Sequence, residues 1–290
     1  MKGLIIKGIG GFYYIQTEQG IIEAKGRGIF KNRGITLCVG DEVNVELTKE
    51  DETKGVIDEI YPRKNHFIRP PIANIDRFIV VFAAKDPEPN YPVIDKFLIT
   101  AELHNIEPII CINKCDLVSD EELEKVKAIY DGVYDVLCVS SLTGQGIDQL
   151  KELVSGQKVA FAGPSGVGKS SILNVLHPEA KMETGEISQK TKRGKHTTRH
   201  VEIFNIDGGG LLFDTPGFTS FEIADIAPEE LMNYYPEFSH YLGQCRYDNC
   251  RHLKEPECAV REAVKKKEIN ILRYKSYVAN EEELRSKRKY

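Results

Sequence analysis

Apolar and polar residues alternate in short runs over the first 64 positions. Residues 3–9, 12–17, 21–25, 42–47 and 55–61 each read as a strand with period two, and glycines at Gly10, Gly11, Gly20, Gly26, Gly28, Gly34 and Gly40 punctuate them. Five short strands in some sixty residues predict a small closed β-barrel. An OB-fold fits the size and strand count, and other small barrels fit almost as well. From about residue 70 the pattern changes. Residues 78–83 and 108–112 are unbroken apolar runs of the kind buried on both faces of a parallel sheet. Residues 91–104 and 119–130 read as helices, the second with Ser119 as its cap and acids in its first turn. Residues 136–139 and 158–162 are further strands, and 201–206 with 210–213 read as two adjacent ones. The alternation predicts a doubly wound α/β domain. The remainder reads as mostly helical. The expected division of this multi-domain α/β chain is a barrel over 1–64, an α/β domain over 65–220 and a helical domain over 221–290.

Composition adds limits. Apolar residues make up 41% and charged residues 29%, an ordinary soluble balance for 290 residues. No apolar run approaches the roughly 20 residues that a bilayer helix needs. The opening residues, Met1 to Lys7, are too short and too interrupted for a signal peptide. A cytoplasmic monomer with no membrane partner is expected.

The net charge of −5 speaks against nucleic acid, but its distribution matters more than its sum. Basic residues gather at Lys190, Lys192, Arg193, Lys195 and Arg199. They gather again at Lys265, Lys266, Lys267, Arg273, Lys275 and over 285–289. Solvated helix faces account for such clusters as readily as RNA does. In the barrel, Arg27, Lys31 and Arg33 surround Phe30 in what reads as a basic loop. It suits RNA backbone contact and base stacking, or is simply exposed.

The candidate chemistry is concentrated in two motifs. Residues 158–162 lead straight into Gly163, Pro164, Ser165, Gly166, Val167, Gly168, Lys169 and Ser170, with a helix starting at Lys169, Ser170 and Ser171. Strand, glycine-rich loop and helix in that order form a phosphate-binding loop. Its backbone amides and helix N-terminus suit phosphate oxygens. Lys169 is expected on the β- and γ-phosphates and the Ser170 hydroxyl on Mg²⁺. About fifty residues earlier, Asn113, Lys114, Cys115 and Asp116 follow the strand 108–112 in the form NKxD. The Asp116 carboxylate can accept from guanine N1–H and its exocyclic amine. Adenine offers neither donor, so an ATPase is disfavoured. Asn113 is expected to brace neighbouring loops, and Lys114 to lay its stem over the purine. Ser140 and Ser141 follow the strand 136–139 as a second base-contact turn, although helix capping also explains them.

Asp214, Thr215, Pro216 and Gly217 form a DxxG element, with Asp214 expected near Mg²⁺ and the Gly217 amide near the γ-phosphate. Thr197 and Thr198 precede it, and Thr198 is the favoured Mg²⁺ ligand. Phe218 stands where many GTPases carry a water-orienting glutamine. His196 is then the local candidate to position water, or else a surface histidine. Slow turnover alone is expected.

Seven cysteines are present. Cys38, Cys111 and Cys138 lie in apolar runs and read as small buried hydrophobes. Cys245, Cys250, His252 and Cys258 have the spacing of a closed tetrahedral Zn²⁺ set with no open position, hence a structural one.

In an ordinary GTPase the phosphate loop comes first. Here the base reader leads, so the domain is circularly permuted. The permuted order resembles the ribosome small subunit-dependent GTPases of the RsgA family. The match extends to the junction residues 69–76, to His196-Thr197-Thr198 and to the Cys/His cluster. The resemblance implies an OB-fold, a central permuted GTPase domain, and a C-terminal zinc domain. It also implies GTP hydrolysis to GDP stimulated by the 30S subunit during late maturation, with that subunit and its 16S rRNA as partners and His196 as the hydrolytic histidine. The alternative is an RNA-binding module whose guanine nucleotide is mainly structural. The permutation also places the zinc domain directly after DxxG, which suggests a relay through residues 218–228.

Overall fold

The structure, a computed structural model, describes residues 1–48, 51–68, 70–177, 201–214, 223 and 226–287. The barrel consists of β1 (Lys2–Ile9), β2 (Phe12–Thr17), β3 (Gly20–Gly26), β4 (Glu42–Leu47) and β5 (Lys54–Ile60). They pair in the order β1-β2-β3-β5-β4, and β4 closes back on β1. Alternation sets the interior: Ile5, Ile15, Ile22, Ala24, Val43, Val45 and Ile57 are all buried. One expectation changes. Part of the basic loop is a short helix, α1 (Gly28–Asn32), with no buried residue. Five residues between glycines carry no period for a sequence reading to detect.

The stretch after β5 is fixed in place. Asp41 is fully buried and accepts from Arg63 Nε at 2.7 Å and from its terminal nitrogen at 2.8 Å. The Asn74 amide donates to Gly40 O at 2.9 Å, and the Asn65 amide both donates to and accepts from the backbone of Ile75. A short ladder of β6 (His66–Phe67) with β7 (Ile72–Ala73) completes the junction.

The α/β layer then follows. Its elements are β8 (Arg77–Ala83), α2 (Tyr91–Leu103), β9 (Pro108–Asn113), α3 (Asp120–Lys127), β10 (Asp135–Cys138) and α4 (Ile147–Val154). After these come β11 (Lys158–Ala162), α5 (Lys169–Leu176), β12 (Val201–Ile206) and β13 (Gly210–Asp214). The strand order is β10-β9-β8-β11-β13-β12, parallel except for β12. From β8 the chain builds outward through β9 and β10, then returns to lay β11 on the other side of β8. That reversal opens a crevice at the C-terminal ends of β8 and β11, the usual ligand position in such sheets. Ser119 caps α3 through a complete capping box with Glu122.

The barrel and the α/β layer share one sheet. β1 pairs with β12 through Lys7↔Glu202 and Gly8↔Val201, which makes eleven strands continuous. Lys7 and Glu202 add an ion pair at 2.7 Å. The apolar interior is continuous as well, running from Ile5 in the barrel to Phe213 in β13.

The C-terminal part has a core of its own, built on Leu231, Tyr235, Phe238, Val260, Tyr277 and Leu284, with Ile99 of α2 joining it. Its helices are α6 (Ala259–Lys265) and α7 (Ile271–Lys287). Arg273, counted above in a surface basic cluster, is only 2% exposed. It pairs with Asp95 of α2 at 2.5 Å and with Glu237 at 2.7 Å. The rings of Tyr130, Tyr134 and Tyr235 surround it. Burial pushes the Asp95 carboxyl up to about 6, against the pull of the guanidinium. Lys265 and Lys287 pair with Glu262 and Glu283 on their own helices, so much of this basic run is spent locally. Among the described residues, no helix is long and apolar enough to cross a membrane.

Candidate functional site

Lys158 to Ala162 form a strand because Val159, Ala160, Phe161 and Ala162 are buried among β8, β13 and the helices. The chain must then turn sharply to begin α5, and glycine makes the turn possible. Gly163 has φ +143°, and a Cβ there would lie 2.0 Å from Val81 O. Gly168, the residue before α5, has φ +92°, and its Cβ would lie 2.2 Å from Asn113 Nδ2. Lys169 folds back over this loop, donating to Gly163 O at 2.6 Å and Pro164 O at 2.5 Å. Burial pushes its ammonium down to about 8. A cation held mainly by carbonyls and short of solvent favours an arriving anion. Ser165 and Gly166 are exposed at the tip, Val167 anchors the loop in the core, and Ser170 and Ser171 open α5.

Asn113 connects three loops. It ends β9 fully buried. Its amide donates to Val167 O at 2.8 Å and lies 3.4 Å from Ser141 Oγ, while its carbonyl accepts from Ser141 N at 3.1 Å. Lys114 takes the left-handed conformation, φ 59°. Its amine donates to Asp86 O and to Gly166 O, the latter at 2.9 Å. Asp116 follows in a short 3₁₀ turn with its side chain exposed. Ser140 is buried, and its hydroxyl accepts from Thr143 N at 3.1 Å, closing the turn that presents Ser141. Ser140 thus braces its own turn and caps no helix, since α4 has Gly146 at its N-cap, and Ser141 stands against the phosphate loop.

The phosphate loop, the NKxD turn and the Ser140–Ser141 turn thus meet at the C-terminal ends of the strands, held through the buried Asn113. Asp214 ends the neighbouring strand β13. His196, Thr197, Thr198 and Gly217 lie outside the described residues, as do Arg69, Phe218 and most of the proposed relay segment. The sequence reading missed the loop 84–90, whose Asp86 carbonyl shares the Lys114 amine with the phosphate loop. A backbone acceptor leaves no residue-type signal.

Gly168→Ala should abolish measurable high-affinity nucleotide binding. The new methyl must displace Asn113 and strain a positive φ, costing roughly 1–3 kcal/mol in the fold alone. Titration with GDP beside a thermal melt checks this, and wild-type affinity would contradict it.

The second cluster is the Cys/His set. Ligand atoms of Cys245, Cys250, His252 and Cys258 all lie within 4.8 Å of one another. The His252 Nδ1 is 3.5 Å from Cys245 Sγ, 3.5 Å from Cys250 Sγ and 3.3 Å from Cys258 Sγ, and the first and last sulfurs are 3.9 Å apart. A tetrahedron around zinc with its usual bond lengths has edges of about 3.5–3.8 Å. Donor chemistry and spacing both fit Zn²⁺. Glu255, also unnoticed in sequence, organises the loop by accepting from the amides of Arg251, Leu253 and Lys254.

Comparison with known proteins agrees with this geometry. Residues 60–224 match the family described as RsgA GTPase, and residues 2–57 match the RsgA N-terminal domain. A protein of Clostridium beijerinckii named small ribosomal subunit biogenesis GTPase RsgA is 47% identical over 286 residues, 98% of this chain and 97% of that one. The same-named protein of Caldanaerobacter subterraneus is 46% identical over 290 residues, 100% of this chain and 97% of its own length. The crystal structure of YjeQ from Thermotoga maritima superposes with a TM-score of 0.83 at 39% identity, covering 98% of both chains. That of YloQ, described as a circularly permuted GTPase, gives 0.80 at 37% identity, covering 99% of this chain and 95% of its own.

Proposed function

The chain belongs to the RsgA GTPase family, and from that premise we propose that it is a switch for the small ribosomal subunit: it binds the 30S particle during late maturation, hydrolyses GTP to GDP and phosphate, and leaves. The observation that carries this reading is the convergence of three loops on Asn113. A ligand with a base at one end and phosphates at the other would join Asp116 to the phosphate loop.

Asp116 reads the guanine, Lys114 and Ser141 flank it, and residues 163–171 enclose the phosphates with Lys169 as the charge. Mg²⁺ would be held by Ser170, Asp214 and Thr198 or its neighbour Thr197, and the Gly217 amide would sense the γ-phosphate. His196 orients the attacking water. Without a glutamine in that role, hydrolysis is slow until the subunit completes the site. The Cys/His cluster holds one structural Zn²⁺. The barrel segment with Arg27, Phe30, Lys31 and Arg33 meets 16S rRNA, and the protein acts as a cytoplasmic monomer.

Phosphate release measured with and without small subunits tests the proposal. Addition of subunits should raise the rate strongly; in a GTPase taken as reference a partner supplies roughly 10⁵-fold. His196→Ala should keep GDP affinity and lose the acceleration. A rate indifferent to subunits would return the protein to the class of RNA-binding modules.

A further inference from the structure

The C-terminal domain touches the nucleotide-bearing layer at a place that the order of motifs does not suggest. α7 packs along α2, and α2 begins at the loop that the Lys114 amine holds against the phosphate loop. We propose that Arg273 is a positioning residue for the nucleotide site: from the zinc-cluster domain it clamps α2, and α2 fixes loop 84–90 against Lys114, so that nucleotide binding and docking of the zinc-cluster domain favour one another. The inference rests on the guanine-nucleotide reading of that site.

The contacts fall near the site end of α2. Asn90 caps the helix by accepting from Val93 N. Within the next turn, Pro92 O accepts from the Asn280 amide at 3.1 Å, and Asp95 meets the Arg273 guanidinium. Lys96 adds an ion pair with Glu283 at 2.6 Å. Asp95 is fixed from its own domain too, since Tyr130 OH donates to it at 3.1 Å. On the other domain, Glu237 takes two nitrogens of the same guanidinium, at 2.7 and 3.2 Å. A planar fork held this way has one orientation, and three tyrosine rings around it leave no room to swing.

Apolar residues could have joined these helices at equal or better stability, since buried ion pairs seldom outperform well-packed hydrophobes. What the charges add is a defined register between α7 and the second turn of α2. A helix moves as a rod, so a shift at Asp95 is a shift at Asn90, where the four-residue connection back to the Asp86 carbonyl begins. That carbonyl and Gly166 O share one lysine amine, and the phosphate loop feels the change directly. By linkage, if docking of the zinc-cluster domain tightens nucleotide binding, bound nucleotide favours docking by the same factor.

Full-length, zinc-loaded Arg273→Met and Asn280→Ala test the clamp, with Lys265→Ala on α6 as a control in the same domain. GDP titration well below the melting temperature should give affinities about 5–50-fold weaker for the first two and unchanged for the control. Hydrogen exchange should show GDP protecting α7 in the wild type, with that protection lost in both variants. A purely structural role would lower the melting temperature and leave the GDP affinity of folded protein alone. Affinities within twofold of wild type, or no effect of GDP on α7 exchange in the wild type, overturn the proposal. Should Arg273→Met not fold, Asn280→Ala decides, because it strands no charge. A wild type that fails to bind GDP would remove the nucleotide reading itself, and this inference with it.

Discussion

Asp116→Asn is expected to weaken GDP binding by roughly 10²–10³-fold while raising affinity for the xanthine analogue. Guanine presents two donors side by side, N1–H and the exocyclic amine. A carboxylate accepts both, and hydrogen bonds to a charged group contribute about 1.5–3 kcal/mol each. The amide replacing it turns an N–H toward a donor, so at least one bond is lost and one donor is left facing another. Xanthine carries an oxygen where guanine carries the amine, and that oxygen accepts from the new amide. The surroundings should survive the change, because Asp116 is exposed and the turn is held by Lys114, Asn113 and the Cys115 amide, which donates to Val139 O at 3.2 Å. Paired titrations with GDP and XDP supply the check. Equal GDP affinity in variant and wild type would mean that the base lies elsewhere.

The second large effect belongs to the Cys/His cluster. Stripping metal with a strong chelator, or Cys258→Ser, should melt the C-terminal domain at ordinary temperature and leave the barrel and α/β layer folded. Two separate apolar cores make this a two-stage event. The loop 245–258 has little apolar content to hold it, and metal binding in small zinc modules contributes about 10–16 kcal/mol. Losing it reaches the helices quickly. Cys258 is the residue before α6, and Ala259 N donates to Cys245 Sγ at 3.3 Å. The hydroxyls of Tyr274 and Tyr277 on α7 donate to the carbonyls of His252 and Arg251, each at 2.8 Å. Zinc analysis with calorimetry should show one bound ion per chain and a low-temperature transition after its removal. A single unshifted transition in metal-free protein would show that the cluster does not support the domain.

Much of this was readable from sequence because it is local. Period-two runs placed all five barrel strands, and continuous apolar runs placed β8, β9 and β11. A glycine-rich turn between a strand and a helix can hardly be anything but Gly163 to Ser170. What escaped was set by partners far away along the chain. Arg273 looks like its lysine neighbours until Asp95 and Glu237, 178 and 36 positions earlier, enclose it. The stretch 61–68 carries no strong pattern, yet Asn65 hydrogen-bonds it to Ile75 of the junction, and Asn74 ties that junction to Gly40 of the barrel region. α4 starts behind Gly146 with no side-chain cap to announce it, and α1 is only five residues long. Charge and residue type are visible in a sequence; enclosure is not.

The seam between β1 and β12 is only two residue pairs long, yet it determines how this protein can be cut. Excising residues 1–60 would not release a tidy catalytic module. It would uncover the amides and carbonyls at the Val201–Glu202 end of β12, and unpaired strand backbone of that kind recruits strands from other molecules. A shortened version should therefore clump, unless a charged or proline-bearing replacement is grafted along that side.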